Sequence, residues 1–244
     1  AIDQLQHIAW LPVMVLPLDP LMPWVPSSKA PIPLSVCATP VDAAPIGEAW
    51  LCSATKRIVD VPVFTPALKT VLRWDARHSI RTLCIQLRQQ ALVFKQRYGQ
   101  QYKLSDTGAT EDNDKSSNND TNISVEQMKE FQKSRETITG LIPQLYQRLN
   151  AEADSFNADS LTSILGECEW IWVGDAFVTK DVVALSTSVG VSSAPYLYQL
   201  PQDLQVYQRL LSIFNIKRNF SARDYIEALR KMFVDHELEC DGKT

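Results

Sequence analysis

The sequence predicts an α+β fold in which short antiparallel strands and hairpins pack with helical hairpins. Three observations predict it. Residues 80–94 and 128–149 carry apolar side chains at the three-to-four spacing of a buried helical stripe. Residues 168–178 instead read as two short strands broken at Gly174-Asp175. The opening sixty residues hold so many prolines that short extended pieces are the most they can offer.

The chain has 244 residues, enough for one large domain or two small ones with a sizeable core. It opens on Ala1 rather than methionine, as expected of a fragment or a processed product. Hydrophobic residues at 45% and charged residues at 21% describe an ordinary soluble globular protein. The formal charge of -4 points away from nucleic acid and from an anionic membrane.

Nine prolines interrupt residues 1–60: Pro12, Pro17, Pro20, Pro23, Pro26, Pro31, Pro33, Pro40 and Pro45. The apolar run over residues 8–25 is therefore no spanning helix, since each proline removes a backbone donor and blocks a turn. No basic region precedes it, so it does not read as a signal peptide either. Residues 11–16 and 48–53 are the candidate extended pieces, and the segment is expected to lean on structure elsewhere.

Helices follow. Thr65-Pro66 reads as an N-cap with proline at the first helical position, and Val71 and Leu72 supply an apolar face. A second helix opens at His78-Ser79 and carries Ile80, Leu83, Cys84, Leu87, Ala91 and Phe94 on one stripe. Residues 105–124 are rich in Asp, Asn, Ser and Thr and lack any aromatic, so they read as a disordered insertion. Ser124 then caps a long helix through Met128, Phe131, Ile138, Ile142, Leu145 and Leu149, which Pro143 should kink or break near Gly140. A shorter helix through Leu161, Ile164 and Leu165 comes next.

The strand pattern places Cys168, Trp170 and Trp172 on one face and Glu169, Ile171 and Val173 on the other, with Phe177-Val178 returning after the turn. Residues 195–200 form another candidate strand, on which Tyr196 and Tyr198 share a face. Pro201 is expected to start a helix through Leu204, Tyr207, Leu210, Leu211 and Phe214. Ser221 and Asp224 resemble a capping box for a last helix that buries Tyr225, Ile226, Leu229 and Phe233. The chain so divides into a proline-rich extended segment (1–60), a helical pair (61–104), the insertion (105–124) and an α+β part (125–240), together one structural module.

The chain also echoes itself. An offset of 142 positions pairs Leu68 with Leu210, Val71 with Ile213, Leu72 with Phe214, Ser79 with Ser221 and Leu87 with Leu229. Both stretches read as a helix end, a short connection, a Ser cap and an amphipathic helix, so a helical hairpin is used twice; two copies are too few for a solenoid.

Candidate chemistry is sparse. Five cysteines form no C-x-x-C pair and read as reduced cytosolic thiols. Cys84 and Cys168 lie on apolar faces, which favours inert burial over catalysis. His7, His78 and His236 stand at no metal-ligand spacing, so no metal or cofactor is expected. No G-x-S-x-G elbow occurs, and Asp112 and Asp114 sit in the insertion, where nothing holds them for acid–base work. Three sequons, at Asn119, Asn122 and Asn219, carry no weight in the cytosol. An interaction surface is the better expectation. Tyr196 and Tyr198 are candidates because buried hydroxyls need partners. Lys217, Arg218, Arg223 and Arg230, with Lys231, form a basic face that an acidic chaperone tail could meet.

Three blocks resemble the sacsin repeats. The run Cys168-Glu169-Trp170-Ile171-Trp172-Val173-Gly174-Asp175-Ala176-Phe177-Val178 is similar to their C-x-W-x-x-x-x-F-like hairpin. Ala194-Pro195-Tyr196-Leu197-Tyr198-Gln199-Leu200-Pro201, then Tyr207, Leu210, Leu211 and Phe214, resembles their P-Y-L-Y-x-x-P stretch and helix, with Phe220-Ser221-Ala222-Arg223-Asp224 as the following cap. Trp10-Leu11-Pro12-Val13, Pro17 and Pro23-Trp24 are similar to the family's opening. The blocks stand in the family's order; residues 27–45 and the insertion fall outside the match.

The resemblance implies a very large cytoplasmic chain tied to Hsp70- and Hsp90-type protein quality control. It further implies a segment that follows the Hsp90-like nucleotide-binding part and has no catalysis of its own. With 8 glycines, no G-x-G and no His-Pro-Asp, neither a nucleotide site nor a J-domain is legible. Expected partners are chaperones or their clients and neighbouring repeats of the same chain, with no nucleic acid and no membrane. A purely structural spacer between ATP-binding modules, or a small-molecule enzyme with a thiol site, are the alternatives.

Overall fold

The computed structural model describes residues 2–14, 21, 36–59, 65–74, 77–105, 125–154, 157–186 and 193–241. The 105–124 insertion beyond Ser105, with Asp112, Asp114 and the Ser124 cap, lies outside the described residues, as do Pro17, Pro20, Pro23, Pro26, Pro31 and Pro33 of the opening. The side chains of His236 and Cys240 do too.

The α+β class is the one the chain adopts. After a short helix α1 (Ile2–Leu5), the opening builds a small sheet and, as expected, leans on structure beyond residue 60. Strands β1 (Leu11–Val13), β2 (Val36–Ala38), β3 (Ala43–Pro45) and β4 (Arg57–Val59) stand in the order β2-β1-β4-β3. β1 pairs antiparallel with β2 and β4, whereas β3 and β4 run parallel, a pairing the sequence did not announce. Pro45 lies on the edge strand β3, where a missing N–H is tolerated. Leu11, Val13, Ala38, Ala43 and Val59 pack with Leu72 and Trp74, and the Trp74 indole donates to the Pro40 carbonyl at 3.1 Å.

Residues 48–53 are not extended. A 3₁₀ turn, Ile46–Glu48, leads into the four-residue helix α2 (Ala49–Cys52). So short a helix is not stable alone. Side chains from a later helix secure its end: Gln86 Oε1 accepts from Ala54 N at 2.8 Å, and Gln90 Nε2 donates to the Trp50 carbonyl at 3.4 Å. Ala49, Leu51 and Cys52 are buried there.

Helix α3 (Pro66–Val71) is capped as its sequence predicts, with Thr65 Oγ1 accepting from Leu68 N at 3.3 Å. Leu72 is buried, but Val71 is exposed. The long helices α4 (Ile80–Ser105) and α5 (Val125–Ala151) then pack together, and α6 (Ala158–Leu165) lies against α4. Leu83, Cys84, Leu87, Ala91 and Phe94 of α4 share one core with Ile138, Ile142, Leu145 and Leu149 of α5 and Leu161 and Leu165 of α6. Met128 is exposed instead. Pro143 does not end the helix: α5 continues through it, and Gln144 Nε2 donates to the Gly140 carbonyl at 3.1 Å beside the lost donor.

The hairpin pairs β5 (Ile171–Trp172) with β6 (Phe177–Val178), and Gly174 takes φ 104°, a left-handed turn position that suits glycine. Arg135 of α5 holds the turn by donating to the Gly174 carbonyl at 2.7 Å. The strand faces are not segregated: Trp170, Ile171 and Trp172 are all buried, because core covers both sides. Trp170 meets Phe214 at 4.7 Å between ring centroids, and Trp172 meets Phe94 edge-on at 5.1 Å.

Strands β7 (Val183–Ala184) and β8 (Tyr198–Gln199) again pair in parallel. Pro201 starts only a 3₁₀ turn, Gln202–Leu204, and helix α7 (Gln208–Ile213) begins later. Gln205 separates the two, its amide donating to the carbonyls of Leu185 and Leu200, both at 2.9 Å. The last helix is α8 (Ala222–Asp241).

The echo is structural and extends further than the helices. α3 and α7 are six-residue helices 142 positions apart, and α4 and α8 begin at the same offset. Arg73 and Asn215 occupy matching positions with φ 56° and 53°. The N–H of Trp74 reaches back to Lys69, and that of Ile216 to Leu211. Upstream, each copy presents an antiparallel strand pair, a 3₁₀ turn after a threonine (Thr39, Thr179), and a parallel strand pair. The order of elements is therefore used twice.

One buried oxygen links helix to hairpin. Tyr146 Oη donates to the Trp170 carbonyl at 2.8 Å and accepts from Trp172 N at 3.2 Å. Tyr146→Phe leaves both backbone groups buried without this partner and is expected to cost roughly 1–3 kcal/mol, read from urea unfolding midpoints. A loss below about 0.5 kcal/mol would show that the bridge is dispensable.

Candidate functional site

The two tyrosines nominated by sequence do not share a face. Tyr196 follows the turn at Ala194-Pro195 and packs on a small cluster of Ala184, Leu197, Phe220 and Ala228, its hydroxyl donating to Asp235 Oδ2 at 2.9 Å. Tyr198 packs against the main core instead. Both rings are half-buried, Tyr196 over the small cluster and Tyr198 over the main core.

The basic cluster also divides. Lys217 turns inward: Nζ donates to Asp224 Oδ1 at 2.6 Å and to the Asp181 carbonyl at 3.0 Å, joining the start of α8 to the turn before β7. Asp224 Oδ2 accepts from Ser221 N and Ser221 Oγ, both at 2.8 Å, so the capping box is present in half, with the serine hydroxyl donating to the acid rather than accepting from the helix. The Lys217 hydrogen bond, assisted by the Ser221 bonds, holds the Asp224 carboxyl down at about 2. Arg218, Arg223 and Arg230 remain exposed, and Arg230 stands 3.8 Å from Glu227 one turn away.

The largest departure from expectation is α8 itself. Its sequence stripe reads as buried, yet Ile226, Leu229 and Phe233 are 50%, 62% and 63% exposed. Ala228 is buried and Tyr225 half-buried, so the helix meets the body along a different edge. Ile226, Leu229, Arg230, Phe233 and Val234 line a shallow groove of about 490 Å³ with almost wholly apolar walls. Periodicity announces an apolar face; it carries no information on whether another element arrives to cover it.

No protein-family model, no curated protein and no solved structure matches this chain.

A second cavity of about 350 Å³, with mixed polar and apolar walls, opens between α2, α4 and α5, lined by Leu51, Arg77, His78, Leu83, Gln147, Arg148, Ala151 and Glu152. His78 Nε2 and Glu48 Oε2 lie 2.7 Å apart, and Arg77 Nη1 donates to Glu152 Oε1 at 3.1 Å. The hydrogen bond from His78 holds the Glu48 carboxyl below its ordinary value. A His–carboxylate pair orients a base, but nucleophilic catalysis needs a hydroxyl or thiol on the other ring nitrogen. The nearby Cys52 thiol donates to the Glu48 carbonyl at 3.2 Å, and burial pushes it up to about 12. Burial pushes Cys84 up to about 12 as well. Such thiols carry almost no thiolate at neutral pH. Among the described residues no cluster of three or more His, Cys, Asp or Glu side chains is arranged to hold a metal ion, and no helix is long and apolar enough to cross a membrane.

Two outcomes follow from these placements. With a maleimide probe, the exposed Cys37 should label in the native protein, whereas Cys52 and Cys84 should label only on unfolding; rapid native labelling of either would reinstate thiol chemistry. Asp224→Asn should destabilise by roughly 0.5–1 kcal/mol at pH 7, the pair being screened by solvent. Since the folded carboxyl titrates at about 2, below its unfolded value near 4, the difference between parent and variant is full above about pH 4 and shrinks as pH falls toward 2. Urea titrations at stepped pH read this directly, and a gap independent of pH would remove the ion pair from the account.

Proposed function

We propose that this chain is a non-catalytic protein-interaction and scaffolding module of a large sacsin-like co-chaperone, acting in the cytoplasm with Hsp70- and Hsp90-type chaperones. The observation that carries the interaction half is the bare apolar stripe of α8, where Leu229 and Phe233 are more than half exposed. A contiguous apolar face rimmed by arginines is a common signature of a protein-binding surface. The chaperone half rests on the sequence blocks around Trp10, Trp170 and Tyr196 that resemble sacsin repeats. The repeated order of strands and capped helices accords with a module built to stack.

The interaction surface moves accordingly from the tyrosines to α8, with Arg223 and Arg230 retained at its rim and Lys217 engaged by Asp224 and the Asp181 carbonyl. Affinity capture from cytosolic extract, with and without ATP and read by mass spectrometry, tests the proposal. Hsp70 or Hsp90 components are expected to be enriched by the parent chain and lost with the double variant Leu229→Asp, Phe233→Asp. A blank with folded parent protein would transfer the function to that of a structural spacer.

A further inference from the structure

Two polar pairs frame the cavity between α2, α4 and α5. Arg77 and His78 are adjacent in the connection that precedes α4, yet they reach different elements. Arg77 Nη1 donates at 3.1 Å to Glu152 Oε1, just beyond the end of α5. His78 Nε2 lies 2.7 Å from Oε2 of Glu48, which closes the 3₁₀ turn before α2. The His78 side chain is only 9% exposed, so this wall is already in place before a ligand arrives. Leu51 of α2, Leu83 of α4 and Ala151 of α5 supply the apolar part of the lining.

Two other lining side chains, Gln147 and Arg148 of α5, make no hydrogen bond or ion pair with any described residue. Glu152 is matched by Arg77 and Glu48 by His78, so among the described residues Arg148 is the lining charge left over. Its charge reaches the cavity: after the His78 hydrogen bond, it is among the causes that hold the Glu48 carboxyl below its ordinary value. A guanidinium is a planar fork that takes a carboxylate through two parallel hydrogen bonds. The amide of Gln147 beside it adds a further donor.

We propose that this cavity binds a small organic monocarboxylate, with its carboxylate on Arg148 and Gln147 and its short apolar body against Leu51, Leu83 and Ala151. A volume of about 350 Å³ stands at the lower end of small-molecule pockets and is too little for a peptide or a folded partner. One unmatched cation calls for one negative charge, whereas a phosphate dianion brings its second charge toward Glu48 and Glu152. Walls that are part polar and part apolar suit a ligand that is both, and not an inorganic ion. The bound molecule bridges α5 to α2 and to the start of α4, bracing the first copy's sheet and helices against each other. The site lies apart from the α8 face, goes beyond the interaction reading and does not depend on it.

The probe is sodium butyrate, titrated into the whole, isotopically labelled chain and followed by backbone amide chemical shifts. Saturable shifts are expected around Leu51, Arg77, Leu83 and Arg148, with a Kd of about 1–10 mM, in keeping with so few ligand atoms. Butanamide, which keeps the shape and lacks the charge, should bind at least about tenfold more weakly, and so should butyrate to Arg148→Gln. Gln147→Ala should lose about threefold. Arg148 is exposed, so the circular dichroism melt of its variant is expected at the parent value. Should that variant melt early, the butyrate–butanamide comparison on the parent chain decides alone. Shifts that never saturate, equal binding of butanamide, or butyrate binding unchanged in a folded Arg148→Gln chain overturn the proposal. Inorganic phosphate that saturates the same amides more tightly than butyrate also overturns it, and would assign the cavity to a phosphoryl group.

Discussion

The buried hydroxyl of Tyr146 ties α5 to the β5–β6 hairpin from within the core. The β5–β6 pair is two residues deep, and beyond it the backbone around Trp170 and Trp172 is buried where water cannot satisfy it. One phenol oxygen serves both needs, donating to one carbonyl and accepting from one N–H. Burial pushes its pKa upward, keeping it a neutral donor. With the strand so anchored, the two indoles are aimed in different directions: Trp170 toward Phe214 ahead of α8, and Trp172 toward Phe94 in the middle of α4. Arg135, donating to the turn at Gly174, fixes the far end of the same hairpin to the same helix. The first copy's long helices and the second copy's hairpin are thereby one core.

That arrangement explains why repeated elements have unequal surroundings. α4 receives α2 on one side, through Gln86 and Gln90, and α5 and α6 on another. Among the described residues, α8 receives the small cluster around Phe220, the Tyr196 hydroxyl on Asp235 and the ion pair of Lys217 with Asp224. The same local design, a short helix, a left-handed residue, a serine and an amphipathic helix, yields a buried helix once and an exposed one once. Burial is thus a property of the neighbours each copy acquires. The basic residues follow the same logic, Lys217 being drawn inward by two oxygen partners while Arg218, Arg223 and Arg230 stay at the surface.

Local signals were legible wherever local chemistry decides. Thr65 with Pro66, Ser79 and Ser221 mark helix starts because a short polar side chain meets the first free N–H groups or its partner acid. Gly174 marks the hairpin because its backbone angle suits glycine, and the stripes on α4, α5 and α6 mark real cores. Residues 48–53 were not legible, since their helix is completed by glutamines some thirty or more positions away. Nor was the break before α7, which Gln205 makes by binding carbonyls of two other segments. Alternation at Tyr196 and Tyr198 suggested one face, yet a turn and an edge strand divide them between two clusters.

The sequence by itself determined the α+β class, the caps, the hairpin and the existence of a repeated helical pair, because these depend on backbone geometry within a few residues. The tertiary structure alone decided that β3 with β4 and β7 with β8 run parallel, that Pro143 is absorbed within α5, and that Lys217 faces inward. It alone decided that Leu229 and Phe233 face outward while Leu87 and Ala91 do not. The physical reason is that an apolar stripe states a demand for a partner, and only the path of the rest of the chain determines whether that partner arrives.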